Sequence, residues 1–312
     1  MSRIFELLNK SKGEVADLVR PLVDEQTRWT PPTNGESHSS EVPAAAPAAP
    51  AAPAAEEAPA AEPHPLAHIR TLSLRIPAPS PLLPFENGQW RPNEQYRILR
   101  TKISRHPKQP QVIVISSPAS GDGKSVTAIN TAGALSLKSG AEVLLLDADL
   151  RKPVMHKQLG LPQSPGLADV LAGACTLDEA LVHTREFPNL YAITSGTTSV
   201  NPVELLDSRP WRDLCARLRT MFRYVIIDSP PVGAVADYAL IQDVCDGIIL
   251  VVRPDYTDRN LCRQSLDLVP KAKFLGVLLN CVPDWAPLGQ GGSDYYYYGG
   301  KTYADKQNGS AA

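Results

Sequence analysis

A short apolar run, Val112-Ile113-Val114-Ile115, breaks into Ser116-Ser117-Pro118-Ala119-Ser120-Gly121-Asp122-Gly123-Lys124-Ser125 and then into helical spacing. No other feature of the chain restricts its fold as much. A strand that ends in a glycine-containing turn and opens a helix at Gly-Lys-Ser forms a phosphate cradle. Glycine lets backbone N–H groups turn inward and approach phosphate oxygens closely. The following helix points its positive end at the same place. In this geometry Lys124 reaches the β- and γ-phosphates of a nucleotide, and the Ser125 hydroxyl is a ligand for Mg²⁺. The lysine is expected to serve phosphate charge and to make no core contact. Ser120, Gly121, Asp122, Gly123 and Val126 complete the expected nucleotide-binding set. The pattern is not strict. Pro118 stands where glycine usually opens the motif, and Val126 follows Ser125 where a threonine would offer a further hydroxyl.

Two more apolar runs end in carboxylates. Val143-Leu144-Leu145-Leu146 leads into Asp147-Ala148-Asp149-Leu150-Arg151-Lys152-Pro153, and Tyr224-Val225-Ile226-Ile227 leads into Asp228-Ser229-Pro230-Pro231. Such runs read as buried parallel strands. Ligands of open parallel sheets bind at the carboxyl ends of strands, so Asp147, Asp149 and Asp228 are expected to face the crevice that holds the phosphate loop. A few carboxylates with water and phosphate suit Mg²⁺. A lone aspartate after a strand is otherwise a turn or helix cap; the neighbouring loop favours the functional reading. Strands are predicted over 112–117, 143–147, 190–194, 225–228, 247–252 and 275–280. Helical or mixed segments separate them, which gives right-handed βαβ crossovers and an α/β fold with a doubly wound, mainly parallel sheet. The helix after the loop is predicted over 124–138, closed by Ser139-Gly140. Asn280 ends the last strand at the mouth of the crevice, as a turn residue or a nucleotide contact.

The chain has 312 residues, enough for one large domain with appendages. Its net charge of −2 does not point to nucleic acid. The five cysteines, Cys175, Cys215, Cys245, Cys262 and Cys281, are dispersed and read as reduced core residues of a cytoplasmic protein. The opening Met1-Ser2-Arg3-Ile4-Phe5-Glu6 is too polar for a signal peptide, and no apolar segment has the length of a membrane span. Residues 1–28 place Ile4, Phe5, Leu8, Val15, Leu18, Val19 and Leu22 at helical spacing in two short pieces, which fray or dock on a partner. Residues 29–84 read as an extended, disordered linker whose centre is almost entirely Ala, Pro and Glu. The folded domain is expected over 85–285.

The tail, 286–312, carries four consecutive tyrosines, Tyr295, Tyr296, Tyr297 and Tyr298, between glycines, with Tyr303 beyond. An aromatic run can form an edge strand or a sticky interface. The flanking glycines argue instead for a free segment able to present hydroxyls as phosphoryl acceptors. Near 94–103, Tyr96, Leu99 and Ile103 share one helical face, while Glu94, Arg97 and Arg100 share the opposite one. That charged face reads as a solvated ion-pair row.

Several motifs in order resemble one family. Glu94-Gln95-Tyr96-Arg97-Ile98-Leu99-Arg100, the loop 121–125, Asp147 to Pro153, Gly166-Leu167-Ala168-Asp169-Val170-Leu171-Ala172-Gly173, Asn201-Pro202-Val203-Glu204-Leu205-Leu206, Ile226 to Pro231 and the tyrosine cluster are similar to those of the bacterial tyrosine kinases of capsule and exopolysaccharide synthesis, the CpsD/CapB type. The resemblance covers roughly residues 85–303. It implies a P-loop fold related to the MinD/ParA ATPases and an ATP-dependent autokinase that phosphorylates its own tail in trans. It implies Lys124, Asp147, Asp149 and Asp228 as catalytic residues, and Mg²⁺ held by Ser125, Asp149 and Asp228. Which of Asp147 and Asp149 serves Mg²⁺ and which takes the phenol proton stays open. Asn280 is implied to contact adenine, and Arg151 and Lys152 to steer phosphate or ring contacts. Glu94, Arg97 and Arg100 are implied to join subunits into a ring. The implied partners are a membrane-bound polysaccharide co-polymerase as activator at the inner face of the plasma membrane, and other tyrosine-bearing proteins. The competing readings are a MinD/ParA-like switch ATPase without kinase activity and a nucleotide-binding scaffold.

Overall fold

The computed structural model describes residues 3–4, 66, 68–77, 82, 90–197 and 199–282. The tail tyrosines and most of 1–65 lie outside the described residues. The chain divides into two units, residues 1–5 with 69–312, and residues 6–68.

The first unit is a nine-stranded sheet, and the predicted apolar runs make its centre. In chain order its strands are β1 (Arg3–Ile4), β2 (Thr71–Leu72), β3 (Val112–Ser116), β4 (Val143–Asp147), β5 (Val182–Thr184), β6 (Leu190–Ile193), β7 (Tyr224–Asp228), β8 (Gly247–Val252) and β9 (Phe274–Leu279). They lie in the spatial order β1-β9-β8-β3-β7-β4-β6-β5-β2. The six from β9 to β6 run parallel. Every residue of β3, β4, β7 and β8 is buried. This explains why these strands read as continuous apolar runs rather than alternating ones: helices cover both faces.

Register sets up the site. Asp147 pairs with Asp228 across β4 and β7, and Asp228 pairs with Ile115 across β7 and β3. Two carboxylates and the start of the phosphate loop therefore leave the sheet at one level.

The helices are α1 (Trp90–Ser104), α2 (Lys124–Ser136), α3 (Met155–Leu159), α4 (Leu167–Leu171), α5 (Leu177–Ala180), α6 (Pro202–Leu206), α7 (Arg209–Met221), α8 (Asp237–Asp243) and α9 (Arg259–Leu268). Tyr96, Leu99 and Ile103 of α1 are buried as their spacing predicts, in one core with Ala128, Ala132 and Leu135 of α2. The α2 helix ends two residues before the predicted Lys138. The Lys138 N–H bonds the Leu135 carbonyl at 3.1 Å, a tighter i−3 turn, and the Asn189 side chain donates to the Ser136 carbonyl at 2.9 Å. Helix orphan carbonyls are thus satisfied before Gly140 is reached.

Three expectations are corrected. Thr71–Leu72, assigned to linker, forms a parallel strand on β5, so folded structure begins well before residue 85. Arg3–Ile4, assigned to a helical piece, pairs antiparallel with β9, whose outer edge offers free backbone groups. The cysteines are all free, but Cys215 and Cys245 alone are buried, and Cys281 is exposed. Among the described residues no helix is long and apolar enough to cross a membrane.

Candidate active site

The chain leaves β3 and turns through Gly121 and Gly123, with φ of +96° and +93°. L side chains rarely adopt this backbone. Neither glycine has room for a Cβ: it would meet the Tyr256 hydroxyl at Gly121 and the Asn280 amide at Gly123. Surrounding side chains hold the loop. The Asp122 carboxylate accepts from the Ala119 N–H at 2.9 Å and from the Thr257 hydroxyl at 2.7 Å. The Asn280 amide donates to the Asp122 carbonyl at 2.9 Å. The Thr257 hydroxyl in turn accepts from the Arg253 N–H at 3.1 Å. Burial pushes the Asp122 carboxyl up, against the lowering effect of these bonds. Asp122, expected in the nucleotide-binding set, and Asn280, expected as a turn residue or a nucleotide contact, both bond the loop itself through their side chains.

Lys124, at the first turn of α2, reaches into the crevice. Its ammonium lies 2.8 Å from Asp149 Oδ2, 3.6 Å from Asp228 Oδ1 and 3.3 Å from Ser125 Oγ. Burial works against the charge on Lys124, but Asp228, Asp149 and Asp147 outweigh it and hold the ammonium above the usual lysine value. This lysine, expected to make no core contact, is the cation of a buried carboxylate cluster.

The Asp149 N–H donates to Asp147 Oδ1 at 3.2 Å, and the Lys152 N–H donates to Asp149 Oδ1 at 3.1 Å. Burial, then Asp228 and Asp149, push the Asp147 carboxyl well up. Burial also raises Asp228, while the nearby Lys124 ammonium and Ser125 hydroxyl pull it back. Asp147 Oδ2 and both oxygens of Asp228 are buried without a hydrogen-bond partner. Buried orphan oxygens are costly and need a reason. A small divalent cation supplies one: Mg²⁺ takes one or two carboxylates and completes its shell with water and phosphate. Among the described residues no group of three or more acidic, His or Cys side chains forms a dedicated metal cage, and Mg²⁺ asks for none. The donor set fits this ion.

The structure adds contacts that the sequence does not show. Arg151 forms a two-pronged pair with Asp237, at 2.8 and 2.9 Å, tying the loop after β4 to the start of α8. Asp237 is fully buried. A cavity of about 290 Å³ opens beside Arg151, between residues 150–153 and 195–197. The loop after β8 supplies Arg253, Tyr256 and Thr257. An arginine, a tyrosine and a threonine after a strand read as ordinary loop chemistry, so no local pattern marks them. Val126 is half-buried and packs on the core. On α1, Arg97 pairs with Glu94 at 3.5 Å, both half-exposed, as a charged face requires. Arg100 departs from that row and donates to the Ala134 carbonyl of α2 at 3.4 Å.

A family model described as an AAA domain matches residues 110–267. The tyrosine-protein kinase YwqD of Bacillus subtilis (strain 168) is 35% identical over 213 residues, 67% of this chain and 87% of the relative. The tyrosine-protein kinase CpsD of Streptococcus pneumoniae serotype 4 is 38% identical over 194 residues, 60% of this chain and 83% of the relative. Among solved structures, the chimerical protein CapA2B2 superposes with a TM-score of 0.62 at 32% identity, covering 69% of this chain and 95% of that one. The kinase domain of the Escherichia coli tyrosine kinase ETK gives a TM-score of 0.55 at 26% identity, covering 62% and 78%. A nucleotide-binding phosphate loop, three strand-end carboxylates around its lysine and these relatives agree: the chain belongs to the bacterial tyrosine-protein kinases, enzymes built on a P-loop nucleotide-binding fold.

Proposed function

We propose that the chain transfers the γ-phosphoryl group of ATP to tyrosines of its own tail, Tyr295 to Tyr298 and Tyr303, in another copy of the chain. The observation that carries this reading is the buried cluster of Lys124, Asp147, Asp149 and Asp228 beside the loop. A phenol with pKa near 10 is a weak nucleophile, so catalysis rests on positioning and charge. Lys124 stays charged in its carboxylate surroundings and turns to the β- and γ-phosphates when nucleotide enters. Ser125, Asp149 and Asp228 would hold Mg²⁺, which neutralises phosphate charge. The phenol oxygen bonds to the γ-phosphorus, the bond to the β,γ-bridging oxygen breaks, and ADP leaves. The phenol proton passes to the Asp147–Asp149 pair. Asp147 has the raised proton affinity, and Asp149 lies nearer the opening, 4% exposed against 0%.

In the cell we assign this activity to control of capsule or exopolysaccharide synthesis, chain length or export, with a membrane-bound co-polymerase as activator. The resemblance of the kinase motifs supports that role, and the exposed Glu94–Arg97 pair supports self-assembly through α1. The test is mass spectrometry of the tail after incubation with ATP and Mg²⁺. Phosphate on Tyr295 to Tyr303 is the expected result. ATP hydrolysis with an unmodified chain would establish a switch ATPase instead, and nucleotide binding without turnover would establish a scaffold.

A further inference from the structure

Four of the five tyrosines among the described residues are closed to any second active site: Tyr96, Tyr191, Tyr224 and Tyr238 are 2–5% exposed. Tyr256 is 56% exposed. It stands on the loop after β8, in Pro254-Asp255-Tyr256-Thr257-Asp258. The Asp-Tyr step that opens the tail cluster, Asp294-Tyr295, recurs here as Asp255-Tyr256. A kinase that accepts the first step meets the same local chemistry at the second.

The position of Tyr256 gives such a modification a consequence. Its hydroxyl lies 3.5 Å from the Ser120 carbonyl, and a Cβ on Gly121 would come within 2.8 Å of it. The Arg253 guanidinium lies 4.7 Å from its ring. The next residue, Thr257, holds the Asp122 carboxylate. The Tyr256 hydroxyl is thus already in contact with the phosphate loop.

We propose that Tyr256 is a phosphorylation site within the folded domain, and that its phosphate switches the nucleotide site off. The proposal rests on the kinase reading above. The step is the one already balanced: the Tyr256 oxygen of one copy bonds to the γ-phosphorus of ATP held by another, ADP leaves, and the phenol proton passes to that copy's carboxylates. The product carries about −1.5 to −2 charges at pH 7. That charge meets the Ser120 carbonyl and the buried Asp122 carboxylate, on a loop shaped to receive a nucleotide's own phosphates. The ring swings out, Arg253 follows the phosphate, and Thr257 leaves Asp122. Losing that brace loosens the loop, so nucleotide affinity falls by about tenfold. Tail phosphorylation and Tyr256 phosphorylation then form a cycle in which activity limits itself.

The test uses the full chain incubated with ATP and Mg²⁺, followed by site mapping and by titration with a fluorescent ADP. The expected result is phosphate on the tail and on Tyr256, with the Tyr256-phosphorylated fraction binding the ADP probe about tenfold more weakly. A Tyr256→Phe chain taken through the same incubation is expected to keep its starting affinity. Phosphate on the tail and none on Tyr256 overturns the site and leaves the kinase reading standing. Phosphate nowhere overturns the kinase reading itself. Phosphate on Tyr256 with unchanged affinity, or the same loss of affinity in Tyr256→Phe, overturns the switch.

Discussion

At the scale of single residues, the site holds more negative charge than its surroundings satisfy, and this makes opposite predictions for two neighbours. Lys124 is the ammonium within ion-pair reach of both Asp149 and Asp228. Lys124→Met should abolish phosphotyrosine, a loss of at least about 10²–10³-fold in rate. It should also destabilise the fold at pH 7, by about 3–5 kcal/mol if the carboxylates stay charged. Asp147→Asn should also lose transfer, yet stabilise the protein by about 1–2 kcal/mol, because it removes a buried, unpartnered carboxylate oxygen. At roughly 2–4 °C per kcal/mol this is visible in a thermal melt. The pH dependence follows from the raised carboxyls. A carboxyl whose folded value lies above its unfolded value, 3.8, costs stability at pH above both values and nothing below both. Both differences from wild type should therefore shrink as pH falls towards 4. Equal melting curves for all three proteins at pH 7 would refute the charge account.

Elements tell what the sequence made legible and what it hid. The apolar runs of β3, β4, β7 and β8 were readable because both faces of a central parallel strand are buried. β2 and β5 were not, because strands of two and three residues carry too little pattern to separate from loop. Lys124, Asp147, Asp149 and Asp228 were readable for a related reason: strand ends converge wherever parallel strands stand in register. The brace on the loop was hidden, because Thr257 meets Asp122 across 135 residues of chain. It yields a prediction at this scale. Thr257→Val removes a hydrogen bond to a buried carboxylate and should raise KM for ATP about tenfold or more with a smaller change in kcat, and Thr257→Ser should restore it. For α1, Arg97→Glu is the clean probe of assembly, since Arg100 also holds the Ala134 carbonyl. An exposed pair such as Glu94–Arg97 is worth about 0.5 kcal/mol or less, so the melting temperature should barely move. Light scattering should nonetheless shift towards monomer; unchanged size would reduce this face to solvated charge.

On the scale of the whole molecule, the proposed catalytic cluster and the proposed tail acceptors belong to different parts of the chain. The cluster sits in the sheet crevice, and Tyr295 to Tyr298 and Tyr303 lie beyond the last described residue, Val282. Transfer between copies makes a separable prediction. A chain with Phe at Tyr295, Tyr296, Tyr297, Tyr298 and Tyr303 keeps the site and loses its tail acceptors. A Lys124→Met chain keeps the acceptors and loses the site. Mixed with ATP and Mg²⁺, the Lys124→Met tail should become phosphorylated, although that chain alone stays unlabelled. The Phe chain should show phosphate at Tyr256 alone. The signal should rise with total protein concentration, because it needs an encounter, and should fall when the Phe chain also carries Arg97→Glu. Lower stability of the Lys124→Met domain does not interfere, since its part is only to present a tail. Labelling in the mixture no greater than in the separate proteins would mean that each tail is served by its own site.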